Sequence, residues 1–599
     1  MDTHFQTTLD DVSKRLKQGY YDYIVVGSGM GGGILARTLV EGNPKHCPEH
    51  CPIDCPKDCS VDCPGDCPHR RHVLLIEWGG WFLTTHCLND PAPRWNPLIG
   101  DGDGPPVDNF KLFGVAKKPV KRRSPETSTF TEYAGGPMHH VGGRSTVWGL
   151  FTPAIDKDQA KKYFPRKVYN YLFDNQLGGY SHAYRLLSNN PNATISSPYP
   201  VEQPAKKIIE RLNEVVQPKY GWDDFGPSPM AAEFPLGQIG SEMFTITMGG
   251  YSTVSWMMRH VVSQSKLLTI LSGIKVVAVD RTAIDQHPNR VANLIVSDHL
   301  GREHVLDTGG ATVILSAGTI DTAAIALRSG LRTGGWGGNK LVSIGLMDHE
   351  IKGIPLEMLV DKDDESDVIS QLKGRALRLQ NWVSLETGAE KRCLLNVIIN
   401  APSPLGRAHD ESLQVLYIDD DGTLLDKKRF EKKLEMRAGE RKFRRVSIMV
   451  IFGFYAELQD ENKVVDETTV QITSETFNGC KFERKMKRIA SDILRALRPP
   501  IETDYSEGMR ISDFGEVAHE VGTMRMGQDR DTGVVDENLC VYEWGNLFVC
   551  DLSVFPVSPS ANPSLTLAAL AQRLGAHLWD SPKLPQVVVP LQPSSSDKV

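Results

Sequence analysis

Two stretches of this 599-residue chain carry residue types at spacings that could do chemistry. Near the C-terminus the sequence reads His519-Glu520-Val521-Gly522-Thr523-Met524-Arg525-Met526-Gly527, and an amide, Asn562, follows 43 residues after His519 within Ser560-Ala561-Asn562-Pro563-Ser564. A histidine titrates near neutrality, so it can take a hydroxyl proton as a general base. An amide beside it can hydrogen-bond the oxygen and hold the neighbouring carbon in line. Near the N-terminus, Gly27-x-Gly29-x-x-Gly32 has the spacing that cradles a dinucleotide pyrophosphate. Gly27 permits the tight turn, Gly29 lets backbone approach the phosphates, and Gly32 lets the following helix pack close.

These residues need elements to hold them. Asp22 to Val26 is a β-branched run that reads as a buried parallel strand, and Ile34 to Val40 has apolar residues at helical spacing. Strand, glycine turn and helix therefore arrive in the order a dinucleotide site requires, with free N–H groups of the helix offered to phosphate. A second strand, His72 to Ile76, ends in Glu77, where an acid is expected to meet ribose hydroxyls. The intervening excess, residues 44–71, holds Cys47, Cys51, Cys55, Cys59, Cys63 and Cys67 in a Cys-Pro repeat of period four. The prolines forbid a regular helix there. The CxxxC spacing departs from the usual zinc pattern. Metal binding, local disulfides and an inert surface loop all stay open for this insertion, and no metal ligand is assigned.

A third stretch, Gly135 to Pro153, mixes glycine pairs with Ser145, Thr146 and Trp148. It is expected to be a loop running beside a flat ligand. Its Val141-Gly142-Gly143-Arg144-Ser145-Thr146-Val147-Trp148 resembles the second flavin-contacting segment of the glucose–methanol–choline (GMC) oxidoreductases, in the form used by the pyranose 2-oxidase-like branch. The C-terminal blocks, including Asn546 to Asp551, resemble that family's signature, and Thr312 to Gly330 resembles its returning strand–turn–helix segment. The resemblance covers residues 20–43, 72–155, 250–330 and 440–580. It implies FAD contacts at Gly142, Gly143, Ser145, Thr146, Val147, Val276, Ala317, Asp551, Leu552, Pro563 and Ser564, with His519 as base and Asn562 as orienting residue. Val147 stands where that branch has a flavin-linking histidine, so the FAD is expected to be non-covalent. His139 and His140 lie near enough to approach the flavin, but are expected to be solvated in a polar loop.

The resemblance implies an α/β (overall α+β) architecture: a Rossmann-like FAD-binding domain and a substrate domain on an antiparallel sheet. The expected division is 1–160, 250–340 and 511–599 for FAD binding, 161–249 for a cap, and 341–510 for the substrate domain. No catalytic cluster stands out in residues 340–510. The reaction implied is oxidation of a CH–OH group of a sugar, glycoside or other alcohol, with oxygen or another acceptor completing the cycle. The alternative is a lyase of the hydroxynitrile-lyase type on the same scaffold. A net charge of −7 gives no reason to expect nucleic acid. No run approaches the ~18 apolar residues of a membrane span. No signal core or peroxisomal ending is visible, so a cytoplasmic location is the default. Oligomeric state is not encoded in anything legible.

Overall fold

The computed structural model describes residues 7–580 apart from 43–70, 90–108, 175–177, 197–200, 202, 233–239, 242–243, 246–248, 264, 283–288, 334–337, 362, 373–376, 386–391, 401–414, 439–442, 474–481 and 498–509. The cysteine repeat lies outside the described residues.

Short β-branched runs build the first layer. Tyr23–Val26 pairs in parallel with Thr312–Leu315 on one side and Val73–Glu77 on the other. Leu547–Val549 and Leu268–Ser272 extend this sheet at its two edges, also in parallel. Each of the three central strands is buried along its whole length. That suits a parallel sheet covered on both faces. The helix Met30–Glu41 starts four residues before the expected Ile34, directly at the glycine turn. It packs against the last described helix, Ser564–Asp580, which shares its hydrophobic core. Gly575 makes the approach possible, because a Cβ there would sit 2.6 Å from Thr38 Cγ2.

The second layer is an eight-stranded sheet. Its longest members, Glu350–Asp361 and Phe443–Phe454, pair antiparallel over twelve residues, followed by Arg392–Ile399 and Leu377–Ser384. One pair, Glu350–Asp361 with Leu416–Ile418, runs parallel, so the expected antiparallel sheet is antiparallel apart from this contact. The helices Gln203–Val215 and Glu483–Leu497 cover one face through Ile208, Leu212, Ile489 and Ile493. Residues 463–471, expected within the 341–510 block, instead join Lys121–Arg123 and Phe130–Glu132 in a separate four-stranded sheet. Among the described residues, no helix is long and apolar enough to cross a membrane.

Candidate active site

The carboxyl ends of the parallel strands open on one long cavity, the usual ligand position in such sheets. It encloses about 1840 Å³ of non-protein space, part of it open to solvent.

The glycine turn forms its floor. Gly27 has φ +101°, a conformation that disfavours side chains, and a Cβ there would lie 2.3 Å from the Ser316 carbonyl oxygen. Gly29 is the N-cap of the helix and faces open space, with nothing within 4 Å of a Cβ added to it. A Cβ on Gly32 would lie 2.0 Å from the Gly27 carbonyl oxygen. The three glycines thus separate into turn, approach and packing roles. Glu77 is buried at the end of its strand and lines the cavity. Its Oε2 accepts the Ser28 N–H (3.1 Å) and hydroxyl (2.6 Å), and its Oε1 accepts the Gly79 N–H (3.0 Å). Burial pushes this carboxyl above its ordinary pKa, against those hydrogen bonds.

Ala317, Asp551 and Leu552 line the cavity where their strands end. Asp551 accepts the Gly318 N–H (2.9 Å) and the Thr322 hydroxyl (2.6 Å) on one oxygen and the Ser553 N–H (2.9 Å) on the other. Val276 lines the cavity from the strand Lys275–Thr282.

The segment expected to be a loop contains one tight 3₁₀ turn, Gly143–Thr146, beginning at Gly142 with φ +91°. Gly143, Ser145 and Val147 line the cavity. Gly142 and Thr146 do not. The Gly142 N–H donates to the Ser28 hydroxyl (2.8 Å), and the Thr146 hydroxyl donates to the Gly143 carbonyl (2.9 Å). Both shape the turn from behind, and Gly32 likewise acts by packing. Pro563 also lies outside the lining, whereas Ser564, the first residue of the last helix, is part of it.

The histidines of this segment are not solvated. His140 is buried, its Nε2 sits 2.8 Å from Thr146 Oγ1, and burial lowers its pKa to about 4. His139 stacks on Trp78 at 3.7 Å between ring centroids and bonds Asp321 at 2.8 Å. Packing against the strand-end residues overrides the polar character of the local sequence.

At the other end of the cavity, His519 and Asn562 meet. Asn562 Nδ2 lies 3.5 Å from His519 Nε2, and both residues line the same space as the glycine turn. Burial, then the nearby His349 and Arg144, hold His519 well below the ordinary histidine pKa, so its ring is neutral.

No catalytic cluster stood out in residues 340–510, yet the fold brings two of its side chains against His519. His349, at the start of the strand Glu350–Asp361, places Nδ1 3.3 Å from His519 Nδ1 and Nε2 2.9 Å from the Ser560 carbonyl oxygen. Its neighbour Asp348 accepts the N–H groups of His519 (2.9 Å) and Gly515 (2.8 Å). Arg144 was also passed over. Its guanidinium donates to the Ala518 carbonyl (2.6 Å), to the Glu520 carboxylate and to the Gly136 carbonyl, tying the 3₁₀ turn to the loop that carries His519. An ionisable Asp-His pair directly before a buried strand was the available signal for the first. An arginine inside a glycine-rich turn was the signal for the second. Among the described residues, no group of three or more His, Cys, Asp or Glu could hold a metal ion.

Comparison with known proteins places this geometry. A GMC oxidoreductase family model matches residues 479–571. A long-chain-alcohol oxidase of Arabidopsis thaliana is 38% identical over 64 residues, a match spanning 11% of this chain and 9% of that protein. Pyridoxine 4-oxidase from Mesorbium loti shares the fold over 93% of this chain and 99% of its own, with TM-score 0.54 and 14% identity. A formate oxidase variant from Aspergillus oryzae does so over 93% and 98%, with TM-score 0.55 and 15% identity. At such identities the likeness is one of fold. The chain therefore carries the GMC oxidoreductase C-terminal domain, the segment that holds both His519 and Asn562, on a fold shared with two oxidases.

Proposed function

We propose that this protein is an FAD-dependent oxidoreductase acting on the CH–OH group of a small alcohol or sugar. The observation that carries this reading is the meeting of His519 and Asn562 in the cavity that also contains the dinucleotide turn. The residues fit FAD. Gly29 leaves room for a pyrophosphate where any side chain would intrude. The Met30–Glu41 helix offers its first N–H groups there, and Glu77 closes the neighbouring strand. Gly27, Gly29, Glu77, Val276, Ala317 and Asp551 would hold the dinucleotide. Gly143, Ser145, Val147, Leu552 and Ser564 would border the flavin. Gly32, Gly142, Thr146 and Pro563 would act through the shape of the backbone behind them. Val147 carries no nucleophile, which supports non-covalent binding.

Bound FAD would supply the hydride acceptor, at its N5. His519, neutral and partly buried, takes the hydroxyl proton on Nε2. Asn562 hydrogen-bonds the same oxygen and fixes the carbon towards the flavin side of the cavity. The helix beginning at Ser564 directs its positive end at this region and favours negative charge there. In the same reading residues 1–160, 250–340 and 511–599 bind FAD, 161–249 form a cap, and the eight-stranded sheet, drawn mostly from 341–510, forms the substrate side. Oxygen or another small acceptor completes the cycle.

The test is the visible spectrum of the purified protein under anaerobic conditions, with and without a panel of sugars and alcohols. A flavin band bleached by one compound supports FAD, redox chemistry and substrate class together. A flavin band that no compound bleaches favours the lyase reading, and a protein that takes up no FAD overturns the proposal.

A further inference from the structure

His349 is not itself part of the cavity lining, but it is buried behind the lining residue His519, on the side away from Asn562. A neutral imidazole carries one hydrogen, so fixing it on one nitrogen leaves the other bare. A backbone carbonyl can only accept. The 2.9 Å contact to the Ser560 carbonyl therefore places the His349 hydrogen on Nε2. His349 Nδ1 is then a lone pair, and the nitrogen 3.3 Å away, His519 Nδ1, must bring the hydrogen between them. That leaves His519 Nε2 bare. On its far side, the Asn562 amide nitrogen faces Nε2 as a donor at 3.5 Å, agreeing independently with a lone pair there. Burial lowers His349 to about 4, so it stays in the one-hydrogen form that this logic requires.

We infer that His349 is a positioning residue: the chain Ser560 carbonyl, His349, His519 fixes the tautomer of His519 so that its lone pair points from Nε2 into the cavity. Imidazole left to itself places the hydrogen on either nitrogen, and the form with hydrogen on Nε2 could not accept a substrate proton there. The inference rests on the reading of His519 as the base, but it concerns a property of the ring that is measurable without any substrate.

The experiment uses the full-length protein as purified with its flavin, labelled with ¹⁵N in histidine rings. Long-range proton–nitrogen spectra distinguish hydrogen-bearing from bare ring nitrogens, and the His519 signals are assigned by their loss in His519→Gln. Expected in the wild type is a bare Nε2 and a hydrogen on Nδ1. In His349→Gln the amide reaches the Ser560 carbonyl but leaves no acceptor where Nδ1 was, so the His519 pattern shifts towards hydrogen on Nε2. In His349→Asn the side-chain carbonyl occupies the Nδ1 position, and the wild-type pattern is kept. A wild-type His519 with hydrogen on Nε2 overturns the inference, as does a His349→Gln protein that keeps the wild-type pattern. With a bleaching substrate in hand, the Gln variant should reduce its flavin up to about 100-fold more slowly, and the Asn variant should recover most of that loss. If the tautomers behave as expected but no compound bleaches the flavin, the proposed reaction fails and the inference about His349 stands.

Discussion

Gly29 and Gly32 lie three residues apart in one turn, yet alanine should do different damage at each. A Cβ on Gly32 would stand 2.0 Å from the Gly27 carbonyl oxygen and 3.0 Å from Ser316 Cβ, where ordinary contact begins near 3.4 Å. The oxygen belongs to backbone, so the helix Met30–Glu41 or the turn itself must move by more than an ångström. Overpacking of this kind costs ~1–3 kcal/mol, and with no flexible side chain to give way the upper end is expected. Gly29 has open space around its Cβ direction and a φ of −63° that alanine adopts freely. Alanine is a poorer helix N-cap than glycine, so the FAD-free protein should lose only ~0.5–1 kcal/mol. Its methyl group would instead stand between the backbone and the pyrophosphate. The same ~1–3 kcal/mol then appears in binding, as a ~5- to 150-fold rise in Kd for FAD. Thermal melts of the two apoproteins, followed by FAD titration read from flavin fluorescence, separate the effects. A Gly29→Ala apoprotein melting as low as Gly32→Ala, or one that binds FAD like the wild type, would refute this division of roles.

Three further outcomes are expected. His519→Ala should slow anaerobic flavin reduction by ~10²- to 10⁴-fold while leaving the flavin spectrum in place; since burial keeps His519 neutral well below 6.5, the wild-type rate should stay flat as pH falls through that value. Denaturing acid should release the flavin into the supernatant, because Val147 offers it no bond; flavin retained by the precipitate contradicts that. His86, fully buried with Nε2 3.0 Å from the Trp148 carbonyl oxygen, is lowered from 6.5 to about 4 by burial. Below pH 6.5 the unfolded chain binds a proton that the folded site refuses, so the stability from its neutral burial is present above that value and lost as pH falls towards 4. The stability advantage of wild type over His86→Gln should shrink by about 3 kcal/mol between about pH 7.5 and about pH 4, read from denaturant melts; a constant advantage excludes the burial argument.

The elements that position the site were legible because their signals are local. Tyr23–Val26, Val73–Glu77 and Thr312–Leu315 are short apolar runs with few other readings, and the glycine spacing follows directly from the first. Asn562 was legible only through its distance from His519 within a matching signature, since an Asn-Pro pair alone reads as a turn. What the sequence hid was contact between distant segments. Nothing near Arg144 says that its guanidinium reaches Glu520, 376 residues later. His349 sits two residues after Met347, which bridges Val521, and just before a strand that pairs with Arg510–Ile511, and those long-range pairings bring it beside His519. His139 and His140 misled for the same reason: composition reports a polar loop, but burial there is decided by strands elsewhere in the chain.

The two carboxylates around His519 show why its base strength is set by burial rather than by a charged partner. Asp348 stands just before the strand Glu350–Asp361, and its two oxygens accept the N–H groups of Gly515 and His519. Glu520 accepts from Arg144 and from the Gly136 N–H at 3.1 Å. Neither makes a hydrogen bond to the imidazole, so neither stabilises a positive ring directly. Asp348 itself is raised above the ordinary aspartate range, first by burial and then by the charge of Glu520. Asp348 therefore pins the backbone at Gly515 and His519, Glu520 anchors Arg144 and Gly136, and the ring is left to His349 and Asn562. A carboxylate bonded to Nδ1 would raise the histidine pKa and hold the proton once taken. Under the proposed reaction, a neutral histidine there would fix the same nitrogen while keeping the base weak, and the proton could leave again as each turnover ends.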